Sequence, residues 1–232
     1  MSRPEELAKA LSVVRERMSQ ACRSASRDPE DVHLVVVTKF FPASDVRLLA
    51  ELGVTDVGEN RHQEAQGKAA ECANLRLRWH FIGGLQSNKA AAVARYADVV
   101  ESVDRIKLVA PLARGAQERG SDLDVLVQVS LDPPGADQRA GCPPEQVVEL
   151  GAAVQAAPGL RLAGLMAVAP LGEDPGQAFA RLALVRAGVL ERFPEATTLS
   201  AGMSGDLEAA VTHGATHVRV GSAVLGPRPP IK

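Results

Sequence analysis

Cysteine is scarce in this chain of 232 residues, and the three present, Cys22, Cys72 and Cys142, are widely spaced with no C-x-x-C pair. An odd, scattered set argues against a disulfide framework or a zinc site and fits a reducing cytoplasm, where the protein is expected to reside. Aromatic residues make up only 3% against 46% hydrophobic residues overall, so the core has to be built from Ala, Val and Leu. No apolar run approaches the roughly 20 residues of a membrane-spanning helix, and no signal peptide is recognisable. A net charge of −2 from 26 basic and 28 acidic residues, without a basic block, argues against a nucleic-acid surface. The dinucleotide fingerprint G-x-G-x-x-G after the first strand is missing, as is a Walker A sequence.

What is present is a regular alternation. A 3.6-residue stripe of Leu7, Leu11, Val14 and Met18 predicts a helix over 4–24. The run from Val32 to Phe41 reads as a strand buried on both faces and ending in Lys39. Pro42 stops it, and Ser44 is placed to cap a helix with Val46, Leu49 and Leu52 on its apolar side and Gly53 as its stop. Further strands are predicted over 54–60, 79–84, 98–103, 123–131, 160–168, 197–201 and 217–221. Helices are predicted over 63–71, 88–96, 105–119, 144–156, 177–193 and 206–213, with Pro111 kinking or delaying the third of these. Eight strands separated by helices predict a (β/α)8 TIM barrel, a single domain over 1–232 with an extra N-terminal helix. The chain ends too soon after the last strand for a full eighth helix, so the N-terminal helix is expected to cover that part of the wall.

In such barrels function collects at the C-terminal ends of the strands. Those ends carry Lys39, Asn60, His80, Met166, Ser200 to Ser204, and Arg219 to Ser222, and the loop over 133–143 is a candidate lid bearing Arg139. Buried lysines are rare, and desolvation shifts their amines toward the neutral, nucleophilic form, although a strand-end lysine also snorkels to solvent. Gly202, Ser204, Gly221 and Ser222, in the turns after the seventh and eighth strands, form a candidate phosphate cradle, the alternative being plain turn formers. An amine facing a phosphate cradle fits a phosphorylated aldehyde held as a Schiff base, and pyridoxal 5'-phosphate is such a molecule. Arg219, two residues before Gly221, is placed to reach the cofactor ring and keep its nitrogen unprotonated. For Asn60 and His80 a contact to the ring competes with a structural hydrogen bond.

Six motifs carry a resemblance: Val-Val-Thr-Lys at 36–39, Gly-Glu-Asn at 58–60, Trp-His-Phe-Ile-Gly at 79–83 with Leu-Gln-Ser-Asn-Lys at 85–89, Gly-Leu-Met-Ala at 164–167, Ser-x-Gly-Met-Ser at 200–204, and Val-Arg-Val-Gly-Ser at 218–222. Together, across nearly the whole chain, they resemble the pyridoxal phosphate homeostasis proteins. The resemblance implies a fold-type III barrel like the N-terminal domain of alanine racemase, without that enzyme's second domain, and a role in holding and delivering the cofactor rather than known catalysis. It implies Lys39 as the Schiff-base lysine, Ser204, Gly221 and Ser222 as phosphate ligands, Arg219 as the ring-nitrogen partner, and Asn60, His80 and Met166 as pocket residues. Apo enzymes that use the cofactor are the implied transient partners, and a monomer is expected. The chain departs from the family's pattern at Gly84, where proline is common, at Phe40, where a polar residue is common, and at Arg139, where lysine is common. A racemase or decarboxylase of the same fold type, and a cofactor-free Schiff-base aldolase, are the competing activities.

Overall fold

A computed structural model of the protein describes residues 1–133 and 140–227. Eight parallel strands form a closed barrel in sequence order: β1 (His33–Val37), β2 (Asp56–Glu59), β3 (Arg78–Phe81), β4 (Val99–Val103), β5 (Leu123–Gln128), β6 (Leu160–Met166), β7 (Thr198–Ser200) and β8 (His217–Val220). The barrel shuts where β1 pairs with β8, His33 opposite His217 and Val35 opposite Arg219. Helices α1 (Arg3–Ser24), α2 (Ala43–Glu51), α3 (His62–Glu71), α4 (Ser87–Ala94), α5 (Val109–Arg119), α6 (Val147–Ala156), α7 (Pro175–Arg192), α8 (Leu207–Thr212) and α9 (Ser222–Leu225) accompany them. Pro111 sits in the first turn of α5, whose start is delayed behind a short 3-10 turn.

Residues on a strand alternate between the helix layer and the barrel interior. Val36, Val57, Trp79, Val218 and Val220 face outward and pack with α1, α2 and α8. Phe81, Val100, Val125, Val127 and Leu199 do the same against the helices on the other side. Since α9 is a single turn, the wall beside β8 is completed by α1: its stripe of Leu7, Leu11, Val14 and Met18 is buried with Leu207, Val211, Val224 and Leu225. Arg3 ties this seam, donating to the Leu225 carbonyl and pairing with Asp45 of α2 at 2.6 Å.

Two expectations need correction. The first strand stops at Val37 rather than Phe41, and it is not buried throughout, because His33 is exposed and Leu34 half-buried. Thr38 to Phe41 form a turn, with the Phe41 N–H donating to the Thr38 carbonyl, so Lys39 stands past the strand and is half-buried rather than buried. The second concerns Ser44. Pro42, with φ −72 and ψ 163, occupies the N-cap of α2, and Ser44 falls inside the first turn. The extended backbone that a cap requires is already supplied by the proline.

Two motif glycines have structural reasons. A β-carbon on Gly83 would overlap the Asn60 carbonyl oxygen, and one on Gly164, where φ is +153, would overlap the Thr198 carbonyl oxygen.

Candidate functional site

Lys39 and the turns after β7 and β8 meet at the C-terminal mouth of the barrel. They line a cleft of about 310 Å³ together with Ser204, Arg219, Gly221 and Ser222, large enough for a small ligand. The juxtaposition follows from barrel closure, since β1 and β8 are neighbours. The cleft thus presents an amine, two hydroxyls, a guanidinium and an uncluttered glycine backbone, a set suited to an anionic, carbonyl-bearing ligand. Gly202 lies behind this surface at φ +92, and a β-carbon there would crowd Ala210. The Met203 N–H, between Gly202 and Ser204, donates to Asp206 Oδ1 at 2.6 Å.

The other named residues lie elsewhere. His80 is one residue short of the end of β3, so its side chain points into the barrel, where it is 3% exposed. Its Nδ1 is 2.7 Å from Glu101 Oε1 and its Nε2 is 2.9 Å from Asp56 Oδ1. Met166 also points inward, packed with Val99 and Leu126. Neither is among the residues lining the cleft; both face the barrel interior, as Arg219 does. Asn60 borders a separate groove over α3 and α4 with Arg61 and Lys89, and its Oδ1 is buried without a partner among the described residues. Arg139 lies outside the described residues, and Cys142 after it pairs back onto the end of β5 through backbone bonds with Gln128 and Ser130.

Beneath the cleft runs a buried polar layer whose centre, Glu101, was not singled out in the sequence. Arg219 Nη1 donates to Ser200 Oγ at 2.7 Å and Nη2 to the Ala167 carbonyl at 2.8 Å. Ser200 Oγ donates in turn to Glu101 Oε2 at 2.6 Å, and the guanidinium stands 3.6 Å from that same oxygen. Two carboxylates, Glu101 and Asp56, therefore balance His80 and Arg219 in the barrel interior. Burial by itself would raise the carboxyl of Glu101, but the hydrogen bond and charge of His80, with help from Arg219 and Ser200, hold it at about 2. Asp56 is likewise held at about 2 against its burial, by His80 and Thr55. Burial lowers His80, yet its two carboxylate partners outweigh it and lift the imidazole to about 9. His217, desolvated and 6.2 Å from the His80 ring, is pushed down to about 4.

These shifts set a pH dependence. The depressed carboxyls contribute stability above about pH 4.5 that is lost as pH falls toward 2. His217 adds to the acid loss, because its unfolded form binds a proton between about 6.5 and 4 that the folded form does not. The raised His80 stabilises fully below about 6.5 and loses that contribution as pH rises through about 9. Urea unfolding midpoints are therefore expected to peak near pH 6 to 6.5 and to fall on both sides. A midpoint that is flat between pH 6.5 and 9.5 would show His80 uncharged.

Comparison with known proteins fits this geometry. The alanine racemase N-terminal domain family model matches residues 11–229. The pyridoxal phosphate homeostasis protein of Mycobacterium tuberculosis is 44% identical, over 97% of this chain and 94% of its own. Its Escherichia coli counterpart is 37% identical, over 96% and 97%. The chain belongs to the pyridoxal phosphate homeostasis protein family. A solved structure, PipY of Synechococcus elongatus with PLP bound, superposes with a TM-score of 0.82 at 34% identity, covering 95% of this chain and all of that one. Alanine racemase from Corynebacterium glutamicum shares the fold at a TM-score of 0.66 and 13% identity, with 64% of its chain covered. This chain thus shares its barrel fold with part of that racemase chain.

Proposed function

We propose that this protein binds pyridoxal 5'-phosphate as a Schiff base on Lys39 and serves intracellular homeostasis of that cofactor without a catalytic turnover of its own. The observation that carries the reading is the cleft joining Lys39 to Ser204, Arg219, Gly221 and Ser222. In this reading Ser204, Ser222 and the Gly221 backbone hold the phosphate, and Arg219 faces the ring nitrogen. The cofactor supplies an aldehyde for the amine and a ring able to absorb electrons, and an arginine at the ring nitrogen weakens that second property. Ser200, itself held by Glu101, and the Ala167 carbonyl keep the guanidinium in place.

Absence of turnover is supported by the lining of the cleft. Stereochemical proton transfer needs a second acid or base opposite the lysine, and the described lining residues include no carboxylate, histidine, tyrosine or cysteine. Tyr96, the one tyrosine of the chain, lies just after α4 with its ring stacked on His62. The barrel is read as one domain working as a monomer, which passes the cofactor to apo enzymes in transient contacts. Three buried, unpaired thiols fit a reducing compartment.

The test is the visible spectrum of the purified protein, then borohydride reduction and peptide mapping. A visible band lost on reduction, with a pyridoxyl phosphate mass on Lys39, is expected. A protein that stays colourless and unmodified with added pyridoxal phosphate removes the assignment, and steady turnover of an amino acid removes the non-catalytic part.

A further inference from the structure

The turn carrying Lys39 is strained. Phe40 holds φ +72, and Ser26 is the only other non-glycine residue with positive φ among the described residues. A bulky side chain in that region persists only where its surroundings over-determine it. Here the surroundings come largely from one face of α3. Glu64 Oε1 accepts the Phe40 backbone N–H at 2.5 Å. Lys68, one turn later and 6% exposed, donates to Glu64 Oε1 at 2.6 Å and to the Thr38 carbonyl at 2.8 Å. A third bond from Lys68, 2.7 Å, goes to Glu59 Oε1, which also accepts from Thr38 Oγ1 at 2.6 Å. Arg61 lies over the Phe40 ring, 4.8 Å from its centroid. The residues on both sides of Lys39 are thereby gripped by the same i, i+4 pair.

An ion pair in a dry site is rarely worth more than the apolar packing it displaces, so stability alone does not account for burying Lys68. What the cluster does specify is the path of the backbone from Thr38 to Phe40.

We propose that Glu64 and Lys68 are positioning residues that hold the Lys39 turn in its left-handed conformation, so that the amine is aimed at an incoming aldehyde. The inference rests on the reading of Lys39 given above. In the step concerned, the neutral amine adds to the aldehyde carbon, a proton moves from nitrogen to oxygen, and water leaves as the carbon–nitrogen double bond forms. Nothing is oxidised or reduced. Such additions are sensitive to placement, and an error near 1 Å costs on the order of 100-fold in rate.

The experiment compares two probes. Pyridoxal phosphate reports covalent capture through the rate of the visible band and the borohydride adduct on Lys39. Pyridoxine phosphate, an alcohol in place of the aldehyde, reports binding without capture. Glu64→Ala is expected to slow capture about tenfold or more while pyridoxine phosphate binds within about twofold of wild type. Glu64→Gln keeps an acceptor for the Phe40 N–H and should recover most of the rate. Adding Phe40→Gly to Glu64→Ala should recover it too, because glycine enters the left-handed region without strain. Glu64→Asp, which keeps the charge but withdraws the acceptor by one methylene, gives the same split should Glu64→Ala not fold. Capture at the wild-type rate in Glu64→Ala, or an equal loss of both probes, overturns the positioning role. A wild-type chain never labelled at Lys39 sinks the functional reading as well, so the two failures are distinct.

Discussion

Lys39→Ala protein is expected to be colourless as purified, to yield no borohydride adduct anywhere in the chain, and to bind pyridoxal phosphate at least 100-fold more weakly, a loss of about 2.7 kcal/mol or more. Truncation removes the sole lysine lining the cleft among the described residues, while the hydroxyls of Ser204 and Ser222 and the guanidinium of Arg219 stay in place. Affinity for the non-covalent analogue pyridoxine phosphate should therefore fall far less than affinity for the aldehyde. Stability should change by only about 0.5 kcal/mol, because Lys39 is half-buried beyond the end of its strand and away from the packed core. Absorbance titration and thermal melting check the two halves separately. An adduct that persists at another lysine would move the attachment point; a collapse of the melting temperature would make Lys39 a structural residue.

Glu101→Ala is expected to be the most damaging single change in the barrel interior, costing about 3 to 5 kcal/mol. The carboxylate is fully buried and sits between His80 and Arg219. Its removal leaves two cations facing each other across a cavity and takes away the acceptor of Ser200 Oγ. Asp56, on the far side of His80, cannot replace it, since it is held there by Thr55 and His80. For a chain of this length the loss corresponds to a fall of roughly 10 °C or more in melting temperature. Glu101→Gln, which keeps the shape and an acceptor, should be milder but still clearly destabilised. Urea unfolding at pH 6.5 measures both. A cost below about 1 kcal/mol for the alanine variant would mean that water reaches this layer and screens its charges.

The alternation of strands and helices was legible because each outward strand face is apolar and each helix has a stripe to match, as at Val36 against Leu7, Val46 and Leu49. That Lys39, Ser204, Gly221 and Ser222 meet at the mouth was legible because they stand past strand ends, where position alone places a residue there. Inside the strands the sequence says less. In a strand buried on both faces, periodicity does not tell barrel interior from helix layer, so the contacts of His80 with Glu101 and Asp56, and of Met166 with Val99 and Leu126, could not be read from it. A signal for Glu101 did exist: a lone carboxylate in Val-Val-Glu-Ser-Val, at the centre of a strand, demands a buried partner. Glu64 and Lys68 also stood one helical turn apart, but their grip on the Lys39 turn depends on the strained φ of Phe40, which no local pattern announces.

The helix that stands in for an eighth barrel helix has a consequence for biosynthesis. Helix α1 is made before every strand of the barrel, yet much of what its stripe packs against, Leu207, Val211, Val224 and Leu225, follows seven of the eight strands. Leu7, Leu11, Val14 and Met18 must wait while seven strands are made with part of their apolar face uncovered. The closing pair, β1 with β8, joins segments about as far apart in the chain as any two strands can be, and contacts of that separation are slow to form. A nascent chain stalled before β8 would thus carry an open sheet edge and a greasy leading helix at once, the combination that chaperones recognise and that aggregates when they are limiting.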